Sequence, residues 1–430
     1  MKAYQMVVYR GMTKDPLFAK LCQVADQYRE MEKEEAAKMM FEGISGLIDV
    51  AQSRGFCGNL WHIYMTFLLT NDENSYSRFC EKKGIMEGSM SGLLSHDMEI
   101  VKYYMDYDWK QVEEYIGIPF VDLFDHFVPA AAKGVVFNKV LRDRIDELAV
   151  KLAQDSVEDM CQEISSFYGE YGVGKFGLHK AFRIQHTDQG AEIIPIVNSS
   201  NVKLEDLVGY EQQKQQLIEN TEAFVQGRKA NNALLFGESG TGKSTSIKAI
   251  LNRYYKDGLR MIEIYKHQFQ DLNSVIAQIK DRNYKFIIYM DDLSFEETEL
   301  EYKYLKAVIE GGLEIKPDNV LIYATSNRRH LVKETWADRK QNADDIHGND
   351  SKQEKMSLFA RFGVAIYFGS PAKKEFMNIV NTLAEREGIQ MDPKELEQKA
   401  IRWELTHGGF SGRAAEQVIT HLKATMTESK

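Results

Sequence analysis

The chain has few cysteines for its 430 residues, and they are dispersed: Cys22, Cys57, Cys80 and Cys161 form no C-x-x-C pair. This spacing excludes a disulfide-stapled scaffold and fits reduced core thiols of an intracellular protein. None of the ten histidines forms an H-x-x-x-H pair or neighbours a cysteine pair, so no zinc site is expected. No apolar run approaches the roughly 18 residues that cross a bilayer. Met1–Met12 lacks the apolar centre of a signal peptide, so the expected location is cytoplasmic, with no membrane partner. Proline-rich and glycine-serine linkers are missing, as are internal repeats. Basic residues are outnumbered, 54 Lys and Arg against 64 Asp and Glu, for a formal net charge of −10. This argues against a surface that coats nucleic acid, although it leaves room for a local basic patch.

Hydrophobic residues make up 43% and charged residues 27%, the balance of a folded globular chain, and the length predicts two or three domains. Glycine is concentrated where chemistry is expected. In "FGESGTGKST", residues 236–245, Gly237, Gly240 and Gly242 let the backbone turn its N–H groups inward around an anion. The apolar run Ala233-Leu234-Leu235 precedes this loop, and Ile247, Ile250, Leu251 and Tyr254 recur after it at helical spacing. The segment reads as strand, phosphate loop and helix, with Gly237, Glu238, Ser239, Gly240, Thr241, Gly242, Lys243, Ser244 and Thr245 forming the nucleotide cradle. Lys243 is expected on the β and γ phosphates and Ser244 on Mg²⁺.

A second apolar run, "FIIYMDDLSF", ends in two carboxylates. Ligands of open α/β sheets bind at the carboxyl ends of strands, which puts Asp291 and Asp292 beside the loop. Asp291 is expected to hold Mg²⁺ through water, and Asp292 to orient or deprotonate the attacking water. A solvated turn with helix-capping aspartates is the plainer alternative. "VLIYATSNRR" is another strand ending on polar residues, whose Asn327 reaches either the γ phosphate or the water; a turn-forming asparagine is its alternative.

Helical periodicity dominates residues 1–171, as in Phe41, Ile44, Leu47, Ile48 and Ala51, and this region is expected to form a mostly helical N-terminal domain of unnamed role. Its aromatics, among them Trp61, Tyr64, Tyr103, Tyr104 and Trp109, read as core. Residues 172–200 alternate as a short β hairpin or linker. From 201 to 369 strands alternate with helices, which predicts a parallel sheet with strands over 233–236, 260–264, 286–290, 320–324 and 364–368. Residues 370–430 predict a helical lid with Phe376, Ile379, Val380 and Leu383 on its apolar face. The mixed-charge stretch 337–356 predicts a mobile surface loop.

In order, Gly237 to Ser244, Asp291-Asp292, Asn327, "SLFARFG" around Arg361 and "GGFSGRAAEQ" around Arg413 resemble the AAA+ ATPase motifs: Walker A, Walker B, sensor 1, arginine finger and sensor 2. "LEDLVGYEQQ" looks like the element lining the adenine pocket, implying Leu207, Val208, Gly209 and Tyr210. The "ARFG" and "SGR" boxes look most like the initiator and loader side of AAA+ proteins. More closely, the stretch from about 175 to 425 is similar to an uncharacterised bacterial family of AAA+ ATP-binding proteins, a domain of unknown function.

The resemblance implies an α/β P-loop sheet domain with a C-terminal helical lid, binding ATP and Mg²⁺. It further implies ATP hydrolysis with Asp292, Asn327, Arg361 and Arg413 as catalytic residues. The implied assembly is a nucleotide-dependent homo-oligomeric ring or open spiral that remodels or loads a protein or nucleic-acid client. Two departures bear on this. Walker B commonly ends Asp-Glu, whereas this chain has Asp-Asp, so slow turnover is one expectation and Glu296 or Glu297 is an alternative base. "IYKHQFQDLNSV" lacks the aromatic-apolar-glycine pore loop of threading machines, which favours a loader or a binding switch with negligible turnover. Lys266 and His267 in this stretch read as a solvated loop rather than a nucleic-acid contact. A phosphotransferase is a third reading, disfavoured by the two arginine boxes.

Overall fold

The computed structural model describes residues 2–84, 88–129, 139–187, 190–295, 299, 301–310, 317–327 and 359–427. The chain divides into two units, Met1–His179 and Lys180–Lys430.

Among the described residues the first unit carries α1 (Pro16–Gln27), α2 (Lys33–Arg54), α3 (Leu60–Asn71), α4 (Ser75–Lys83), α5 (Ser89–Met105), α6 (Lys110–Ile116), α7 (Asp122–Asp125), α8 (Lys139–Gln154), α9 (Val157–Tyr171) and α10 (Gly174–Leu178). Short polar residues start several of them: Asp15 accepts the Phe18 N–H ahead of Pro16, Asn59 caps α3 and Ser156 caps α9. Trp61 anchors the core, stacked on Phe18 and edge-on to Trp109, with its indole N–H donating to the Tyr104 carbonyl at 2.8 Å. Tyr104 is fully buried, but Tyr103 is exposed, contrary to its reading as core. One residue's rotation along α5 turns it to a different face. Phe41 likewise sits at the rim while Ile44, Leu47 and Ala51 are buried. Asp97 is wholly buried, and its carboxylate accepts the N–H groups of Val7, Val8 and Tyr9 at 2.7–3.0 Å. Those bonds replace lost hydration and tie the N-terminal segment to α5.

The second unit is built on a seven-stranded sheet of β1 (Ala181–Thr187), β2 (Gly190–Pro195), β3 (Ala233–Gly237), β4 (Leu259–Glu263), β5 (Lys285–Met290), β6 (Val320–Ser326) and β7 (Val364–Phe368), ordered β2-β1-β4-β5-β6-β3-β7. Only β1 and β2 pair antiparallel; the other neighbours run parallel. The five strands expected between 233 and 368 are present, and the hairpin extends the same sheet through β1 and β4. Every residue of β3 and β6 is buried, as unbroken apolar runs require when both faces are covered. Helices α11 (Glu211–Val225), α12 (Lys243–Tyr254), α13 (Leu272–Ile279) and α14 (Glu301–Glu310) accompany the sheet. The C-terminal helices α15 (Lys373–Arg386), α16 (Pro393–His407) and α17 (Gly412–Thr427) share a separate core around Phe376, Val380, Ala415 and Val418.

The parallel register decides where chemistry gathers. Phe236 pairs with Ser326 and Met290 with Ala324, so Gly237, Asp291 and Asn327 leave the sheet at one end. The loop predicted at 337–356 and the alternative bases Glu296 and Glu297 lie outside the described residues. Among the described residues no helix is long and apolar enough to cross a membrane.

Candidate functional site

A cavity of about 450 Å³ opens at that sheet end, within the roughly 300–1,000 Å³ typical of small-molecule sites. Its floor is the loop from Ser239 to Thr245 and the first turn of α12. The loop's glycines answer to close neighbours. At Gly237, with φ of 131°, a Cβ would lie 2.1 Å from the Phe368 carbonyl oxygen, which accepts the Glu238 N–H at 2.9 Å. At Gly242, with φ of 92°, a Cβ would meet Leu207 Cδ2 at 2.5 Å. Glycine is required at both points because the backbone is left-handed and flanked by packed atoms. Immediately after Gly242, α12 starts with its unpaired N–H groups turned to the loop.

Lys243 is 6% exposed, and its ammonium donates to the carbonyls of Gly237 and Glu238 and to Asn327 Oδ1, at 2.9, 2.6 and 3.0 Å. Burial pulls its pKa below the ordinary lysine value, against the upward pull of Asp292, Glu238 and Asp291. Asn327 Nδ2 donates in turn to Asp292 Oδ1 at 2.7 Å. A chain of polar contacts therefore runs from the phosphate loop through the end of β6 to the second carboxylate. The first carboxylate has its own partner: Ser244 Oγ donates to Asp291 Oδ1 at 2.7 Å. Burial pushes the Asp291 carboxyl up, but hydroxyl donors from Thr325 and Ser244 outweigh it and hold the pKa below the ordinary value.

Apolar lining comes from both ends of the unit. Val208 and Tyr210 line the cavity together with Ile379 and Leu383 of α15. Tyr210 is a non-glycine residue at positive φ, 59°, anchored by its hydroxyl on the Gly369 carbonyl at 2.8 Å and packed on Phe368. Burial pushes its phenol up to about 12. Lys214 holds the Leu207 carbonyl at 2.9 Å, and Arg386 donates to the carbonyls of Asp206 and Glu205 at 2.9 and 2.7 Å, tying α15 to this loop. Arg413 lines the cavity, and its N–H donates to the Gly240 carbonyl at 3.1 Å.

Of the residues singled out from sequence, Leu207, Val208, Tyr210, Ser239 through Thr245, Asp291, Asp292, Asn327 and Arg413 line the one cavity. Gly237 and Glu238 shape the loop beneath it, Gly209 lies in the loop between Val208 and Tyr210, and Arg361, exposed just ahead of β7, is not among the lining residues. Sequence reasoning missed Thr325, Asp206 and Glu416. Thr325 was detectable as a polar residue closing an apolar strand. Ile379 and Leu383, on the apolar face predicted for the lid, line the cavity as well. Lys266 pairs with Glu299, and His267 stacks on Tyr265, as local structure does.

No curated protein matches the chain. Among solved structures, the Thermotoga maritima RuvB Holliday junction branch migration motor is 14% identical, with a TM-score of 0.38 over 53% of this chain and 66% of that one. The chain thus spans just under two thirds of that motor. The FIGL-1 AAA domain in complex with ADP is 18% identical, with a TM-score of 0.35 over 52% of this chain and 73% of that one. A family profile covers the whole second unit apart from its last few residues. By that match, over residues 177–426, the chain belongs to the family described as "Protein of unknown function (DUF815)".

Proposed function

We propose that the chain is an AAA+ module that binds ATP with Mg²⁺, hydrolyses it, and uses the cycle to remodel or load a macromolecular client as a cytoplasmic, nucleotide-dependent homo-oligomer. One observation carries the reading: a buried lysine, a helix N-terminus, a hydroxyl–carboxylate pair and a second carboxylate converge on one cavity that apolar residues also line. The donor set fits both groups. Ser244 Oγ and Asp291 Oδ1, 2.7 Å apart, are hard oxygen donors of the kind Mg²⁺ takes, and left-handed Gly237 and Gly242 give the loop the backbone conformation that suits a phosphate cradle.

In this reading Ser244 and Asp291 hold the metal, which when bound withdraws charge from the β and γ phosphates. Lys243 moves its contacts from the loop carbonyls to phosphate oxygens. Asp292 takes a proton from the attacking water as the water oxygen joins the γ phosphorus and the β–γ bridging oxygen leaves. Asn327 keeps Lys243 and Asp292 in register, and Arg413 neutralises charge developing on the γ phosphate. Arg361 serves a neighbouring subunit.

A binding switch with negligible turnover is the second reading, favoured by the aspartate at 292 and by its occupation by Asn327 at 2.7 Å. Phosphate release by the purified protein, with and without DNA or candidate proteins, separates the two. Asp292→Asn should retain Mg-ATP binding and lose turnover. Native turnover in that variant overturns the assignment of Asp292, and no ATP binding by the native protein overturns the whole reading.

A further inference from the structure

Thr325 has no part in the reaction outlined above, yet it bonds the carboxylate of Asp291 and the backbone N–H of Asp292. It is the next-to-last residue of β6 and is 2% exposed. Its Oγ1 donates to Asp291 Oδ1 at 2.6 Å and accepts the Asp292 N–H at 2.9 Å. The contact follows from register: Tyr289 pairs with Tyr323 and Met290 with Ala324, so one step further Asp291 lies opposite Thr325. Two more bonds fasten the same turn, from the Leu293 N–H to the Thr325 carbonyl and from Ser326 Oγ to the Leu293 carbonyl, both at 2.7 Å. The turn needs fastening because Asp292 has φ of 50°, a left-handed conformation that aspartate adopts more readily than most residues but still sparsely.

We propose that Thr325 is a positioning residue for the acidic pair, one hydroxyl setting the rotamer of Asp291 toward Ser244 and holding the Asp292 backbone in the turn from which its carboxylate meets Asn327. Each half of the claim uses a different capacity of the hydroxyl. The donated bond leaves Asp291 Oδ1 shared between Thr325 and Ser244, which fixes the orientation of the carboxylate. The accepted bond satisfies an N–H that the end of β5 leaves without a ladder partner. A shift of the turn therefore moves both carboxylates together.

The test compares Thr325→Val, which keeps the shape and removes the hydroxyl, with Thr325→Ser, which keeps the hydroxyl and removes a methyl. The first measurement needs no nucleotide: amide hydrogen exchange over residues 288–295 of the full chain. Thr325→Val should exchange faster at Asp292 by about tenfold, and Thr325→Ser should exchange as the native protein does. The second rests on the proposed ATP reaction. In Thr325→Val the Mg²⁺ concentration for half-maximal turnover should rise about fivefold and kcat fall about tenfold, with KM for ATP nearly unchanged, and Thr325→Ser should restore both. Native exchange and a native Mg²⁺ requirement in Thr325→Val overturn the proposal. Equal damage in Thr325→Ser overturns it too, because packing of the methyl rather than the hydroxyl would then be responsible. If the native protein neither binds nor hydrolyses ATP, the proposed function fails, while the exchange measurement still decides the role of Thr325.

Discussion

Replacing Lys243 with methionine removes one charge while keeping an unbranched stem, and its consequence can be worked through from the contacts. The ammonium is almost fully buried and is held by three acceptors within 3.0 Å, so it stands at the loop already desolvated and oriented. Burial lowers its pKa, with Asp292, Glu238 and Asp291 pulling the other way. A phosphate oxygen gains a charge-assisted bond from it worth about 1.5–3 kcal/mol, and at about 1.4 kcal/mol per tenfold the variant should bind Mg-ATP about 10- to 150-fold more weakly. The unliganded protein should lose some stability as well, because the Gly237 and Glu238 carbonyls lie beneath the cavity and lose the ammonium that satisfies them. Calorimetric titration of Lys243→Met and native protein with Mg-ATP, beside a thermal melt without nucleotide, measures both quantities. Affinity within twofold of native would refute the reasoning, since no phosphate could then be seated where the loop and α12 point.

The remaining predictions address subunits and pH. Arg361→Ala should bind ATP normally and hydrolyse poorly, because a guanidinium supplied between subunits contributes roughly 10³–10⁵ to phosphoryl transfer. Mixed with Lys243→Met, it should recover activity in assemblies that pair an intact Arg361 with an intact loop. No recovery in a mixture shown by light scattering to co-assemble would refute action in trans. In the first unit, burial pushes the Asp146 carboxyl from 3.8 up to about 7, opposed by Arg142 and reinforced by Asp143, and its Oδ1 is buried without a hydrogen-bond partner. With the folded pKa above the unfolded one, the native state binds more protons between pH 3.8 and about 7, so stability falls as pH rises through that window. Asp146→Asn removes this penalty. Discounted for a half-exposed group, the gain is about 1 kcal/mol, or ~2–4 °C in Tm, at pH 8, with no gain at pH 4. Scanning calorimetry at the two pH values checks it, and an equal shift at both would sink the electrostatic account.

Much of the candidate site was legible because its residues act through local rules. The glycines and Lys243 of the loop sit between an apolar strand and a periodic helix, and such neighbours declare a phosphate loop without knowledge of the rest of the chain. Asp291, Asp292 and Asn327 were legible for a related reason: a strand buried on both faces is an apolar run, and the polar residue that ends it marks the sheet's edge. The alternating order of strands and helices from 233 to 368 likewise determined a parallel sheet. What the sequence could not determine was register and long-range approach. Thr325 meets Asp291 because β5 and β6 pair in one register rather than another, and nothing local to either strand states the choice. Gly237 is required by a carbonyl 131 residues later, and the cavity's apolar lining joins Val208 to Ile379 and Leu383, whose helical spacing spoke equally well for core. Periodicity in sequence reports that a face is buried. Only the packed chain decides what it is buried against, because that depends on contacts between segments whose separation leaves no trace in either one.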